Sequence, residues 1–191
     1  MAQLPRVALL IETSNAYARG LMRGIVAYMR EHRPWSIYLS EHSRGEKAPA
    51  WLAGWHGDGV IARIENPSVA RVLQDLRLPM VDVSAARLLP ELPYVETDDR
   101  AIAQIAADHF LERGFRQFAF SGDDRFQWSR WRAAHFTRLL GERGLACHVQ
   151  VSRGARSRDG EALVEELGAW LARLPRPVGV FACYDFRGQQ V

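Results

Sequence analysis

Leu111-Glu112-Arg113-Gly114-Phe115-Arg116-Gln117-Phe118-Ala119-Phe120-Ser121 changes its period halfway along. Before Gly114, the residues Ile102, Ile105, Ala106, His109 and Phe110 recur at helical spacing. Glycine closes helices because it enters the left-handed conformation at little cost. After it, Gln117 to Ser121 is a short apolar run that predicts a strand. A helix therefore feeds a strand through a tight stop.

The same alternation fills the chain on both sides. Toward the N-terminus the expected strands are Val7 to Ile11, Ser36 to Ser40, Val60 to Ala62, Met80 to Val83 and a short fifth, Tyr94 to Glu96. Between them lie a helix with Leu21, Ile25, Tyr28 and Met29 on one face, a short helix with Trp51, Leu52 and Trp55, and a helix opened by Pro67. Toward the C-terminus comes a charged and aromatic loop, Asp123 to Ser129, and then a helix around Phe136, Leu139 and Leu140. A strand over His148 to Val151, a Gly/Arg/Ser loop, a helix carrying Leu163, Leu167 and Trp170, and a strand over Val178 to Ala182 complete the series. This rhythm calls for an α/β fold, with parallel sheets wrapped on both faces by helices. Right-handed crossovers leave few other topologies.

With 191 residues, 48% hydrophobic and 25% charged, the chain suits one large α/β domain or two small lobes. No apolar run approaches the roughly 18 residues that span a bilayer, so no membrane partner is expected. Met1 to Pro5 lead straight into a strand, without a secretory signal, and the expected location is cytoplasmic. Cys147 and Cys183 stand alone, as small core residues of a reducing compartment do. Net charge is only +3, and arginines alternate with carboxylates, as in Glu112-Arg113 and Glu142-Arg143. Such pairs suit solvated helix faces better than a phosphate-binding stripe.

In open parallel sheets, ligands bind where strands deliver their carboxyl ends and helices begin. The polar residues there are Glu12, Ser14, Asn15, Tyr17 and Arg19 after the first strand, Glu41 after the second and Thr97-Asp98-Asp99 after the fifth. Asp123, Trp128, Ser129, Arg132, Tyr184 and Asp185 follow in the second series. Arginine, carboxylate, asparagine and aromatic rings suit a polyol such as a sugar. No G-x-G-x-x-G, P-loop or G-x-S-x-G is present, and the six histidines are dispersed. We therefore expect a binding protein, not an enzyme, with no cofactor and no metal. Alternatives stay open at single positions. Asp98 reads as the N-cap of the next helix or as a ligand group, and Arg19 as a solvated residue or a cleft residue. Asp58 reads better as a turn residue, and Trp51, Trp55 and His109 as packing.

At Gly57-Asp58-Gly59-Val60-Ile61, Thr97-Asp98 and the segment Leu111 to Phe120, the sequence resembles the effector-binding domains of the lactose/galactose repressor superfamily, which have a two-lobed periplasmic-binding-protein type I fold. Asn15 to Arg19, Tyr94 to Asp99, Arg130 to Phe136, Trp170 to Pro175 and Asp185 to Arg187 are similar in order to its xylose-regulator branch. The resemblance implies an N-terminal lobe over 1–115, a C-terminal lobe over 116–191 that is cut short, and doubly wound parallel sheets in each. It implies sugar ligands at Asn15, Tyr17, Arg19 and Asp98 on one side and Arg132 and Asp185 on the other, with Trp128 as a stacking surface. The implied function is sensing of a pentose or related sugar by a transcription regulator, through lobe closure. A transport-type sugar-binding protein is the alternative. The implied partners are the sugar effector, a second copy in a homodimer, and operator DNA through a domain outside these residues.

Overall fold

The computed structural model describes residues 3–12, 16–40, 46–152 and 160–191. They divide into two compact units, Met1–Glu96 and Thr97–Val191. The resemblance draws its lobe boundary later, at 115/116; by contact, the helix before that point goes with the second unit, because it packs on a helix there.

The first unit carries β1 (Arg6–Leu10), α1 (Ala16–Glu31), β2 (Ser36–Leu39), β3 (Gly59–Ala62), α2 (Pro67–Asp75) and β4 (Met80–Asp82). The strands are all parallel, in the order β2-β1-β3-β4. Side chains alternate between faces along a strand, and the core divides accordingly. Ala8, Leu10, Val60, Ala62 and Met80 meet Val69, Ala70 and Leu73 of α2 and Leu52 of a 3-10 turn, Leu52–Gly54. Leu9, Ile11 and Val83 turn the other way, onto Ala18 of α1, with Leu21 and Ile25 packed alongside. Pro67 opens α2, as expected, and Asn66 caps it by accepting from the Ser68 and Val69 amides.

The second unit carries α3 (Asp99–Glu112), β5 (Gln117–Asp123), α4 (Gln127–Gly141), β6 (Cys147–Ser152), α5 (Gly160–Ala172), β7 (Val178–Ala182) and α6 (Asp185–Gln190). Its sheet is parallel, in the order β6-β5-β7. Phe118 and Phe120 of β5 pack with Ala103 and Ala107 of α3 and Phe136, Leu139 and Leu140 of α4. Gly114 takes φ of +80° just past α3, where the Phe115 amide turns back to the Phe110 carbonyl; a residue with a Cβ is strained there.

Three expectations need correction. Tyr94 to Glu96 is not a strand: Tyr94 makes one isolated bridge to Asp82, since Pro93 next to it has no amide to extend a ladder. Trp128 and Ser129 are not loop residues but lie in the first turn of α4. The helix expected around Trp51 to Trp55 is only the short 3-10 turn. The Gly/Arg/Ser loop lies largely outside the described residues. Among the described residues no helix is long and apolar enough to cross a membrane.

Candidate functional site

Each sheet ends, at its carboxyl edge, in a buried polar network. In the first unit, β1 runs out at Glu12, which is 3% exposed, and β3 runs out at Arg63. The Arg63 guanidinium donates from one terminal nitrogen to Glu12 (2.6 Å) and from the other to Glu65 (2.5 Å). The Tyr17 ring lies 5.2 Å from the same guanidinium, and its hydroxyl donates to the Val83 carbonyl at 3.4 Å. Burial raises the Tyr17 phenol pKa, the Arg63 charge opposes this, and nearby carboxylates add to it. The phenol therefore stays protonated at neutral pH, as a donor.

Asp82 ends β4 and is fully enclosed. Its Oδ1 accepts from the Ile64 amide (3.3 Å) and the Ser84 amide (2.8 Å), while Oδ2 has no partner. Burial pushes its carboxyl above the ordinary carboxylate range, against the hydrogen bonds from Ser84 and Ile64. Glu12 and Glu65 thus share Arg63, and Asp82 stands apart on backbone amides, so the edge carries three carboxylates, groups that accept from hydroxyls.

In the second unit, Asp123 closes β5 and is 1% exposed. Arg125 clasps it with Nε (2.9 Å to Oδ1) and Nη2 (2.6 Å to Oδ2), and the Tyr184 hydroxyl donates to Oδ2 at 3.3 Å. Arg187, also 1% exposed, donates to the Ser152 hydroxyl and stands 3.8 Å from the same carboxylate. Burial works to raise the Asp123 pKa, but the Arg125 hydrogen bonds and the two guanidinium charges outweigh it and leave it lowered.

Arg132, on α4, reaches Asp99 with Nε (2.7 Å), the Cys183 carbonyl with Nη1 (2.7 Å) and the Thr97 hydroxyl with Nη2 (3.4 Å). Its guanidinium carbon lies 4.7 Å from the Trp128 ring. Trp128, expected as a stacking surface, already stacks on Phe126 at 4.9 Å and meets the Tyr184 ring edge-on. Asp185 opens α6 and is exposed.

Of the residues singled out from sequence, Tyr17 lies in the first network and Arg132 and Trp128 lie in the second. Arg19 is exposed on α1, and Asn15 lies outside the described residues. Asp98 is exposed and caps α3, accepting from the Ala101 amide at 2.9 Å, and it falls in the second unit. Asp58 behaves as a turn residue, accepting from the Arg6 amide at 2.7 Å. Arg63, Glu65, Asp82 and Arg187 went unselected. The strand-end rule that picked out Glu12 reaches Arg63 and Asp82 as well.

A cavity of about 630 Å³ in the first unit lies at the other end of the strands, between Val7, Trp35, Ile61, Leu78, Val81 and Leu92. Apart from Asp58 its side-chain lining is apolar, so it offers few partners for hydroxyl groups.

Comparison with known proteins gives a consistent picture. Residues 6–100 match the XylR N-terminal domain, and residues 107–191 match a periplasmic binding protein-like domain. The xylose operon regulatory protein of Escherichia coli K12 is 29% identical, over 97% of this chain and 49% of its own length. Its counterpart in Haemophilus influenzae Rd is 25% identical, over 99% and 50%. The solved structure of the xylose-binding transcription activator xylR superposes with a TM-score of 0.82 at 27% identity, over 97% of this chain and 48% of that one. A LacI family regulator from Bifidobacterium animalis subsp. lactis shares the fold at 18% identity and a TM-score of 0.70, over 99% and 70%. The chain spans about half the length of the curated relatives it matches.

Proposed function

Because the chain is homologous to the xylose operon regulators and joins a XylR N-terminal domain to a periplasmic-binding-protein-like domain, we propose that it senses a pentose or related sugar for a cytoplasmic transcription regulator. The observation that carries the reading is the pair of strand-end networks. Arg132 has five N–H groups, of which three are engaged, so one on each terminal nitrogen is left for hydroxyl oxygens. Within the first unit, Glu12 and Glu65 supply acceptors, and Tyr17, whose one O–H goes to the Val83 carbonyl, supplies an oxygen lone pair and an apolar ring face. Within the second unit, Asp185 supplies an acceptor. The relatives are a xylose operon regulatory protein and a xylose-binding transcription activator, which supports a role in recognition rather than turnover.

In this reading the sugar shifts a population between sensor states through its differential affinity for them. A homodimer acting on operator DNA is the working form, and light scattering of the purified protein checks the dimer. The direct test is a thermal-shift panel of pentoses and hexoses. A ligand at a hundred times its Kd adds about 2.7 kcal/mol of stability, and D-xylose is expected to give the largest upward shift. Arg132→Ala abolishes that shift. A flat response across the panel overturns the reading.

A further inference from the structure

Adjacent aspartates at the start of α3 have different surroundings. Asp98 is exposed and is used as the cap. Asp99 is 6% exposed and faces Arg132 across the contact between α3 and α4. We propose that Asp99 is a positioning residue, which fixes the plane of the Arg132 guanidinium so that its two remaining N–H groups are pre-set for neighbouring sugar hydroxyls. This deepens the sugar-sensing reading and rests on it.

The geometry is that of a group held on three edges. Nε is tied to Asp99 at 2.7 Å, Nη1 to the Cys183 carbonyl at 2.7 Å and Nη2 to Thr97 at 3.4 Å. These anchors come from the start of α3 and from the residue just past β7, so rotation of the head group breaks at least one of them. The Trp128 ring, 4.7 Å from the guanidinium carbon, restricts it further. Arg132 keeps 15% of its side chain exposed while Asp99 keeps 5%, so a ligand can reach the arginine and not the aspartate. Among the three anchors only Asp99 carries a charge, and charge-assisted bonds are roughly twice as strong as neutral ones. The first turn of α3 also favours a carboxylate at that place, through the helix dipole. An arginine ordered before the ligand arrives loses no rotamer freedom on binding, which is the usual origin of pre-organised affinity. Sequence reading places Asp99 beside Thr97 and Asp98 after the fifth expected strand but gives a role only to Asp98, because the capping position is the visible signal. The neighbour whose carboxylate meets Arg132 differs from it only in the face of the helix it occupies.

The test uses this chain, D-xylose, and two readouts. One is the Nε–H signal of Arg132 in a proton–nitrogen spectrum, which needs no sugar. The other is D-xylose affinity by calorimetry, well below the melting temperature. In the parent protein the Nε–H signal is expected to be sharp and slow to exchange. In Asp99→Ala it is lost to exchange, and affinity falls tenfold or more. Asp99→Asn keeps an oxygen acceptor for Nε, so it recovers most of the affinity, within about threefold of the parent, at a lowered melting temperature. If Asp99→Ala keeps the sharp signal, or loses it while binding D-xylose as the parent does, the proposal is overturned. If Asp99→Ala does not fold, Asp99→Asn decides alone: faster exchange of the Nε–H supports the proposal and an unchanged signal defeats it. A parent protein that binds no D-xylose defeats the sugar reading, while the spectrum still reports whether Asp99 holds the guanidinium.

Discussion

Asp82 and Asp123 are each 1% exposed at the end of a strand, yet their environments push them in opposite directions. Asp82 has amide donors on one oxygen and nothing on the other, so burial dominates and raises its pKa. Asp123 is also opposed by burial, but it has the Arg125 fork and the Arg187 charge, and its pKa is lowered. The stability consequences follow by linkage. A raised carboxyl contributes stability that is complete below its unfolded value, near 3.8, and is lost as pH rises through the folded value. A lowered one contributes stability above its unfolded value and loses it as pH falls through the folded value. Asp82→Asn, which keeps the amide-accepting oxygen, should therefore melt higher than the parent at pH 7, and the gain should shrink toward pH 4. Asp123→Asn should melt lower at pH 7, with a cost of about 3 kcal/mol because the buried Arg187 loses its counter-charge. That penalty should fade in acid. Calorimetric melts at the two pH values check both signs, and a destabilised Asp82→Asn at pH 7 counts against the burial argument.

Helix starts show how local chemistry sets the larger pieces. Asn66 accepts two amides of α2, at 3.0 Å each, and also donates to the Glu46 carbonyl, while Pro67 follows with no amide to satisfy. Removing that cap leaves two donors without a side-chain partner, so Asn66→Ala should cost about 1 kcal/mol. Asn66→Asp keeps the acceptor and should lose much less; equal losses in a urea melt would mean that the cap is not what matters. At this scale most of the fold is legible. Pro67 and Gly114 mark their helix boundaries through backbone restrictions that act within a residue or two, and the aliphatic runs around Leu9, Ile61 and Val180 mark their strands. Tyr94 to Glu96 misleads because β-forming residues next to Pro93 have no room to build a ladder. The site is less legible. Tyr17 and Arg132 can be found from their place after strands, but the tie from Arg63 to Glu12 joins residues 51 positions apart. Periodicity reports which face of an element is apolar. It does not report which charges meet once strands are side by side.

For the molecule as a whole, the cores are separate objects. Leu10, Val60, Leu73 and their neighbours fill the first unit, and Phe118, Phe120, Phe136 and Leu140 fill the second. The second is aromatic, with Phe136 lying 5.1 Å from Phe181 and 6.5 Å from Phe118, ring centre to ring centre. Truncating Phe136, which is fully buried, opens a void that stiff neighbouring rings cannot collapse into. Phe136→Ala should therefore cost about 3–5 kcal/mol. Leu73→Ala should cost about 2–5 kcal/mol in the first unit, where smaller aliphatic side chains have more freedom to relax. Proteins open in cooperative sub-units whose free energies differ, and each of these cores belongs to one sheet. Amide exchange followed by mass spectrometry should then show Phe136→Ala lowering protection across β5, β6 and β7 while β1 and β3 keep theirs. Leu73→Ala should give the mirror pattern, with β1, β3 and β4 exposed and β5 unchanged. A uniform loss across both sheets from either substitution would mean that the units open as one, and that the cores are coupled more tightly than their separate packing implies.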